Sequence, residues 1–226
     1  MNTAIIVAAG SGKRFDAATP KQFLDLNGKP VIIHTLERFQ ACPSVDAIVA
    51  VVGPGDVARL TEMAAAANIT KLTAVTAGGE TRAESVRNGF AEVDASAEIV
   101  CVHDGVRPLV TPDEIARTID AAVHFAAACL TAPVTDTIKT VEYDKITGTI
   151  DRTTLRRALT PQAFRYGILR DALAAADLGE AVTDECLMVE RSGVMITTVE
   201  GSTRNIKITH KDDLTIAAAF LSEGEQ

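Results

Sequence analysis

Apolar residues up to about residue 134 fall into short runs. Residues 2–8 carry Ile5, Ile6 and Val7 in succession, and 47–52 are apolar throughout. Residues 99–102 repeat the pattern more briefly, and 72–75 and 130–134 do so with one threonine in each. Runs of this length, rich in β-branched residues and without polar alternation, read as strands buried on both faces. Amphipathic stretches separate them. One opens at Pro30, suited to the first position of a helix, and runs to about residue 39. An alanine-rich one covers about 56–67. Two more begin at the capping boxes Thr81-Arg82-Ala83-Glu84 and Thr111-Pro112-Asp113-Glu114 and reach about 93 and 127. Buried strands alternating with amphipathic helices predict an α/β fold whose mostly parallel, twisted sheet is covered by helices on both faces.

Past residue 136 the rhythm changes. Residues 137–142 and 149–152 alternate as strands around the polar turn Tyr143-Asp144-Lys145, with no helix between. That predicts a β-hairpin inserted into the α/β unit. A lone hairpin is marginal in water, so it is expected to pack on something, a second subunit being the natural candidate. Helices are expected at about 164–176 and 184–192, the second with Thr183 as N-cap. Strands follow at 195–199 and 205–208, and Thr209 is expected to cap a final helix to about 221.

Candidate chemistry sits where strands end. Ala8-Ala9-Gly10-Ser11-Gly12-Lys13-Arg14 follows the first strand, with Pro20-Lys21-Gln22 close behind. Two glycines two apart let the backbone approach a ligand closely. Free N–H groups flanked by Arg14 and Lys21 make a cradle for a polyphosphate. The competing reading is a plain glycine turn closing a core strand. Lys13 is followed by Arg14 where a Walker loop needs Ser or Thr, and Phe15 stands where the dinucleotide fingerprint needs a third glycine. Gly78-Gly79 and His103-Asp104-Gly105-Val106-Arg107-Pro108 also follow strands. Ligands of open α/β sheets bind at the carboxyl ends of strands, so these segments are expected to share one cleft.

The formal charge of −8 comes without a basic stripe, which argues against nucleic acid as partner. Local cations, not net charge, set the field in a cleft, so an anionic substrate stays open. No stretch has the length of a membrane span or the basic start of a signal peptide. Cys42, Cys101, Cys129 and Cys186 show no C-x-x-C spacing, which reads as four reduced core thiols and a cytoplasmic protein.

The ordered motifs resemble those of the 2-C-methyl-D-erythritol 4-phosphate cytidylyltransferases over essentially the whole chain. The matching stretches are Ala8 to Arg14, Pro20-Lys21-Gln22-Phe23, Gly78-Gly79 through Ser85, and His103 to Pro108. Asp136-Thr137-Ile138-Lys139, Asp151-Arg152, Leu159 to Phe164, Thr183-Asp184-Glu185 and Asn205 to Thr209 follow in order. The resemblance implies a single Rossmann-like nucleotidyltransferase domain over 1–226, with a β-hairpin arm at about 136–153 that exchanges between the subunits of a homodimer. It implies CTP as co-substrate, Mg²⁺ as cofactor and 2-C-methyl-D-erythritol 4-phosphate as acceptor. Ala8, Ala9, Gly10, Ser11 and Gly12 would cradle CTP, with Gly79, Glu80 and Ser85 near its cytosine and ribose. Arg14 and Lys21 would stabilise the transition state, and Asp104 would help place Mg²⁺ and substrate. Gly105, Arg107, Thr137, Thr160, Thr183 and Lys207 would surround the acceptor, and Arg152 and Lys207 would position its phosphate. Arg152 and Thr160 would serve the partner's site.

Asp104 has a competing reading as the cap of a helix or turn, Arg152 as the partner of Asp151 or Glu142, and Lys207, taken without the resemblance, as an exposed strand lysine. His103 reads as a structural histidine. Val7 stands where proline is frequent in the family, Gly105-Val106 where Ala-Ala is frequent, and Cys186 follows Thr183-Asp184-Glu185. The Gly105-Val106 pair bears on acceptor choice. Ribitol-5-phosphate cytidylyltransferase is the nearest rival, and Ala8-Ala9-Gly10 with Lys139 favours methylerythritol phosphate. A catalytically silent nucleotide-binding module is the rival from another class.

Overall fold

The computed structural model describes residues 1–10, 19–176 and 184–223. Strand β1 (Asn2–Ala8) is followed by a two-residue ribbon, β2 (Asp25–Leu26) with β3 (Lys29–Pro30), and then helix α1 (Val31–Ala41). Next come β4 (Ala47–Val52), α2 (Val57–Ala66), β5 (Leu72–Ala77), α3 (Arg82–Ala91), β6 (Ile99–Asp104), α4 (Pro112–Phe125) and β7 (Ala127–Pro133). A hairpin of β8 (Ile138–Glu142) and β9 (Lys145–Ile150) precedes β10 (Arg156–Arg165), α5 (Tyr166–Ala175), α6 (Glu185–Arg191), β11 (Thr197–Glu200) and α7 (Lys211–Glu223).

The central sheet has the order β11-β7-β10-β6-β1-β4-β5. Neighbours β5, β4, β1 and β6 run parallel, β10 is antiparallel to both β6 and β7, and β11 is parallel to β7. The mostly parallel α/β sheet expected from the apolar runs is therefore present. Alternation along each strand feeds two cores. Ala4, Ile6 and Ala8 join Ile48, Leu36, Phe39, Leu60 and Ile115 beneath α1, α2 and α4. Ile5 and Val7 join Val49, Val86, Val102, Leu169 and Val189 beneath α3, α5 and α6. Each fully buried Ile or Val contributes about 1.5–3 kcal/mol, and burial on both faces explains why these strands carry no polar alternation. A third cluster, Leu26, Val31, Val106, Ile208, Ala217 and Leu221, docks α7 beside the end of β6.

Both capping boxes form as expected, at Thr81 with Glu84 and at Thr111 with Glu114. Four expectations need correction. Pro30 is the N-cap of α1, with extended ψ, not its first helical residue. Asp184, not Thr183, caps α6 by accepting from the Leu187 N–H. Thr183 itself lies outside the described residues, as do Ser11, Gly12 and Arg14. Residues 205–208 form no strand, and Thr209 does not cap α7. Asp213 reaches back instead to accept from the Thr209 and His210 N–H groups, each at 2.7 Å. The omission is β10, a buried strand in the middle of the sheet.

The hairpin is a sheet of its own, turned by Tyr143 and Asp144, both at positive φ. The second strand begins at Lys145, so it is longer than the 149–152 expected. Its apolar residues face out: Tyr143 is 96% exposed, Ile146 68% and Val141 58%.

Candidate active site

Three strand ends meet beside the switch in strand order. β1 lies between β4 and β6, with Val7 opposite Asp104. The chain leaving β6 stays tied to β1 through the Gly105 N–H, which donates to the Val7 carbonyl at 2.8 Å. The chain leaving β5 is tied to β4 by the Gly78 N–H on the Val52 carbonyl, also 2.8 Å. A cavity of about 490 Å³ opens above these ends.

One wall is backbone. Ala8, Ala9 and Gly10 face Gly79, Glu80 and Ser85. Glycine is required here for proximity: a Cβ on Gly78 would lie 2.3 Å from Ala9 Cβ and 2.7 Å from Ser85 Oγ. The loop is held open by the first turn of α3. Gly79 N–H donates to Ser85 Oγ at 3.1 Å, and Glu84 Oε2 accepts from the Glu80 and Thr81 N–H groups at 2.7 and 3.1 Å.

The other wall is charged. Asp104, at the last position of β6, is 6% exposed and faces three cations. Its Oδ1 accepts from Arg82 Nε and NH2 at 3.3 and 3.2 Å. Its Oδ2 accepts from Arg107 Nε at 3.2 Å and lies 2.9 Å from Lys207 Nζ. Burial alone would raise the Asp104 carboxyl, but Arg82, Lys207 and Arg107 together outweigh it and hold the group well below the usual carboxylate range. Lys21 closes the cavity, its Nζ donating to the Ile208 carbonyl at 2.8 Å.

Behind Asp104 a relay of hydrogen bonds fixes the strand end. The Asp104 N–H donates to Thr160 Oγ1 at 3.1 Å, and that hydroxyl lies 3.0 Å from His103 Nδ1. The opposite ring nitrogen lies 3.2 Å from the Arg107 carbonyl. A hydroxyl with one proton donates to Nδ1, which leaves the proton of the neutral ring on Nε2, aimed at Arg107. His103 is fully buried, and burial pushes its pKa down to about 3. It is the structural histidine that the sequence suggested.

This burial carries a stability prediction. The unfolded chain protonates His103 near pH ~6.5, and the folded one only near pH 3. A depressed histidine leaves stability flat above the upper value and erodes it as pH falls. The slope between the two is about 1.4 kcal/mol per pH unit. Urea unfolding at stepped pH between 7.5 and 4.5 should show that slope, and His103→Gln should flatten it. An equal slope in both proteins would show that other groups cause the acid lability.

Of the residues named from sequence, Ala8, Ala9, Gly10, Lys21, Gly79, Glu80, Ser85, Asp104 and Lys207 all line the cavity. Arg107 and Thr160 touch Asp104 from outside its lining, and Gly105 packs beneath it against Ile32 and Ala8. Thr137 and Arg152 stand on the exposed arm, where Arg152 donates to the Thr135 carbonyl and to neither Asp151 nor Glu142. Sequence reasoning missed Arg82 and Glu185. Arg82 lines the cavity and bridges Asp104 to Glu185. A signal existed: a cation at the first position of α3 opposes the helix dipole.

A family model for 2-C-methyl-D-erythritol 4-phosphate cytidylyltransferase matches residues 2–223. The chain belongs to that family. A cytidylyltransferase of this name from Syntrophus aciditrophicus is 43% identical, over 98% of this chain and 96% of that one. One from Acidobacterium capsulatum is 44% identical, covering 97% and 96%. The fold agrees as well. The crystal structure of the Thermus thermophilus cytidylyltransferase superposes with a TM-score of 0.79 at 31% identity, covering 98% of this chain and all of that one. These are the relatives that the strand-end motifs implied, and the cytidylyltransferase family places the chain among the nucleotidyltransferases.

Proposed function

We propose that this protein transfers CMP from CTP to 2-C-methyl-D-erythritol 4-phosphate, releasing pyrophosphate. The observation that carries this reading is the pairing of a backbone-lined slot with a cluster of cations around one buried carboxylate, in a chain of this family. The acceptor phosphate is its own nucleophile, because its second pKa is about 6. One of its oxygens attacks the α-phosphorus, and the bond from that phosphorus to the bridging oxygen of the leaving pyrophosphate breaks. No general base is needed, which agrees with the withdrawal of His103 into the core. In-line positioning and neutralisation of spreading charge are needed. Lys21 and Lys207 supply them here, and Arg14 joins them from sequence alone.

Asp104 fits a role in binding Mg²⁺. That ion takes one or two carboxylates plus substrate phosphates, and the carboxylate at the phosphate end of the slot is held ionised by its neighbours. Asp104 would hold the ion, which would offset negative charge on the nucleotide's phosphates. Among the described residues no group of three or more His, Cys, Asp or Glu side chains is placed to hold a metal alone, so the ion would arrive with the nucleotide.

The hairpin arm at about 136–153 would carry Arg152 to the site of a second subunit, whereas Thr160, expected to serve that site too, lies buried in β10 with its hydroxyl on the Asp104 N–H of its own chain. The arm's outward-facing Val141, Tyr143 and Ile146 support a homodimer, since exposed apolar patches mark contact surfaces. Four buried free cysteines support a cytoplasmic setting.

The test is pyrophosphate release from CTP and Mg²⁺ with each of two acceptors, alongside mass by light scattering. We expect turnover with methylerythritol phosphate and a dimer. Turnover with ribitol 5-phosphate only would overturn the acceptor. CTP binding without turnover on either acceptor would favour the silent module.

A further inference from the structure

Glu185 stands in a place that folding alone does not explain. It is fully buried at the first position of α6, with Arg82 NH1 bonded to its Oε1. Among the described residues its Oε2 has no hydrogen-bond partner. A buried ion pair is weak support for a fold, and a buried acceptor left unsatisfied counts against it. The partner is just as oddly placed, a cation at the dipole-positive end of α3. A buried carboxylate and a cation set against its helix dipole meet, and the contact leads to the active site.

The guanidinium is a rigid planar fork. Its NH1 is engaged by Glu185, which turns the Nε and NH2 edge onto Asp104 Oδ1. Glu185 is itself fixed. Gln162 on β10 accepts from the Cys186 N–H at 3.0 Å and donates to the cap residue Asp184 at 2.9 Å. Gln162 pairs with Val102 on β6, the strand that ends at Asp104. The path from β6 through Asp104, Arg82, Glu185, the start of α6 and Gln162 back to β6 is therefore a closed loop of contacts.

We propose that Glu185 is a positioning residue for the transfer, holding the Arg82 guanidinium so that Asp104 keeps one orientation toward Lys207, Arg107 and the nucleotide. Without the negative charge at Glu185, Arg82 loses the anchor on its far side. Asp104 then loses the fixed donor pair that presses on one of its oxygens. This inference rests on the cytidylyltransferase reading.

The experiment uses the full-length enzyme with CTP and methylerythritol phosphate, and follows CTP affinity by calorimetry. Glu185→Gln keeps shape and removes charge. We expect kcat to fall by about 10- to 100-fold, the range for outer partners that orient a ligating side chain, with a smaller change in CTP affinity. Arg82→Lys keeps the charge but cannot span both carboxylates, and should lose kcat by a similar factor, which also serves if Glu185→Gln does not fold. In an Asp104→Asn background, assayed at raised enzyme concentration, Glu185→Gln should add no further loss, because the two act in one chain. Either role lowers the melting temperature, since a buried ion pair is broken, but a purely structural Glu185 would add its loss of turnover in both backgrounds. Wild-type turnover with Glu185→Gln or Arg82→Lys within about twofold of it, or additive losses, would overturn the positioning role alone. No pyrophosphate from the wild type would remove the reading and the inference together.

Discussion

Asp104→Asn should lower turnover by about 10³-fold, the upper range for losing one preorganised charge-stabilising group. Both oxygens of Asp104 accept: Oδ1 from Arg82, Oδ2 from Arg107 and Lys207. An asparagine amide must turn its NH₂ toward one of those sets, so a donor faces donors whichever way it flips. The substitution also leaves three cations around a neutral group. Breaking a buried ionic network by removing one partner costs about 3–5 kcal/mol, so the melting temperature should fall too. Binding of CTP without metal should not weaken, because the excess positive charge attracts the triphosphate. A folded variant with turnover near wild type would take Asp104 out of the chemistry. Weaker metal-free CTP binding would show that Asp104 serves the nucleotide in some other way.

The sheet was legible wherever burial on both faces made a strand apolar throughout. Strands β1 and β4 run over the residues that the pattern marks, and the glycine and capping signals locate α3 and α4. Strand β10 was hidden because its sequence, Arg156 to Arg165, includes Thr160, Pro161 and Gln162 in its buried middle. Each polar group there is answered by a distant residue: Gln162 by Asp184 and Cys186, Thr160 by His103 and Asp104. Local pattern cannot show that. The reverse error occurred at 205–208, where Asn205, Ile206, Lys207 and Ile208 alternate like a strand. The alternation is real but serves other ends. Ile208 packs with Val106 and α7, while Asn205 donates to the Thr160 carbonyl and Lys207 reaches Asp104.

Site residues followed the same division. Glycine loops and cations directly after strands were readable because an open α/β sheet gathers its strand ends at one edge. Arg82 and Glu185 were not, since their bond joins residues 103 apart. Glu185 alone looks like an ordinary acidic residue in the first turn of a helix, and Arg82 offers only the weak signal of a cation set against its helix dipole. The motif Thr183-Asp184-Glu185 drew attention to the right segment, yet only the fold shows Glu185 turned inward onto Arg82.

Lys21→Ala should lower kcat/KM for CTP by about 10²-fold while barely moving the melting temperature. The separation of the two effects is the diagnostic part. Lys21 opens the short helical turn Lys21–Phe23, and its ammonium stands at the cavity wall on the Ile208 carbonyl. Lys21 is half-buried at the cavity wall, where a cation still in contact with water adds little to stability. Its value is to the ligand, because charge spreading onto the triphosphate in the transition state meets a donor already in place, and losing one such donor lowers rate by about 10²- to 10³-fold. Ile208 directly follows Lys207, so the ammonium bound to its carbonyl and the one bound to Asp104 are fixed by one short segment. Lys207→Ala should then resemble Lys21→Ala in rate but differ in stability, because it also strips a cation from the buried Asp104. Equal and small effects in both variants, with turnover within about threefold of wild type, would mean that the phosphates lie elsewhere in the cavity.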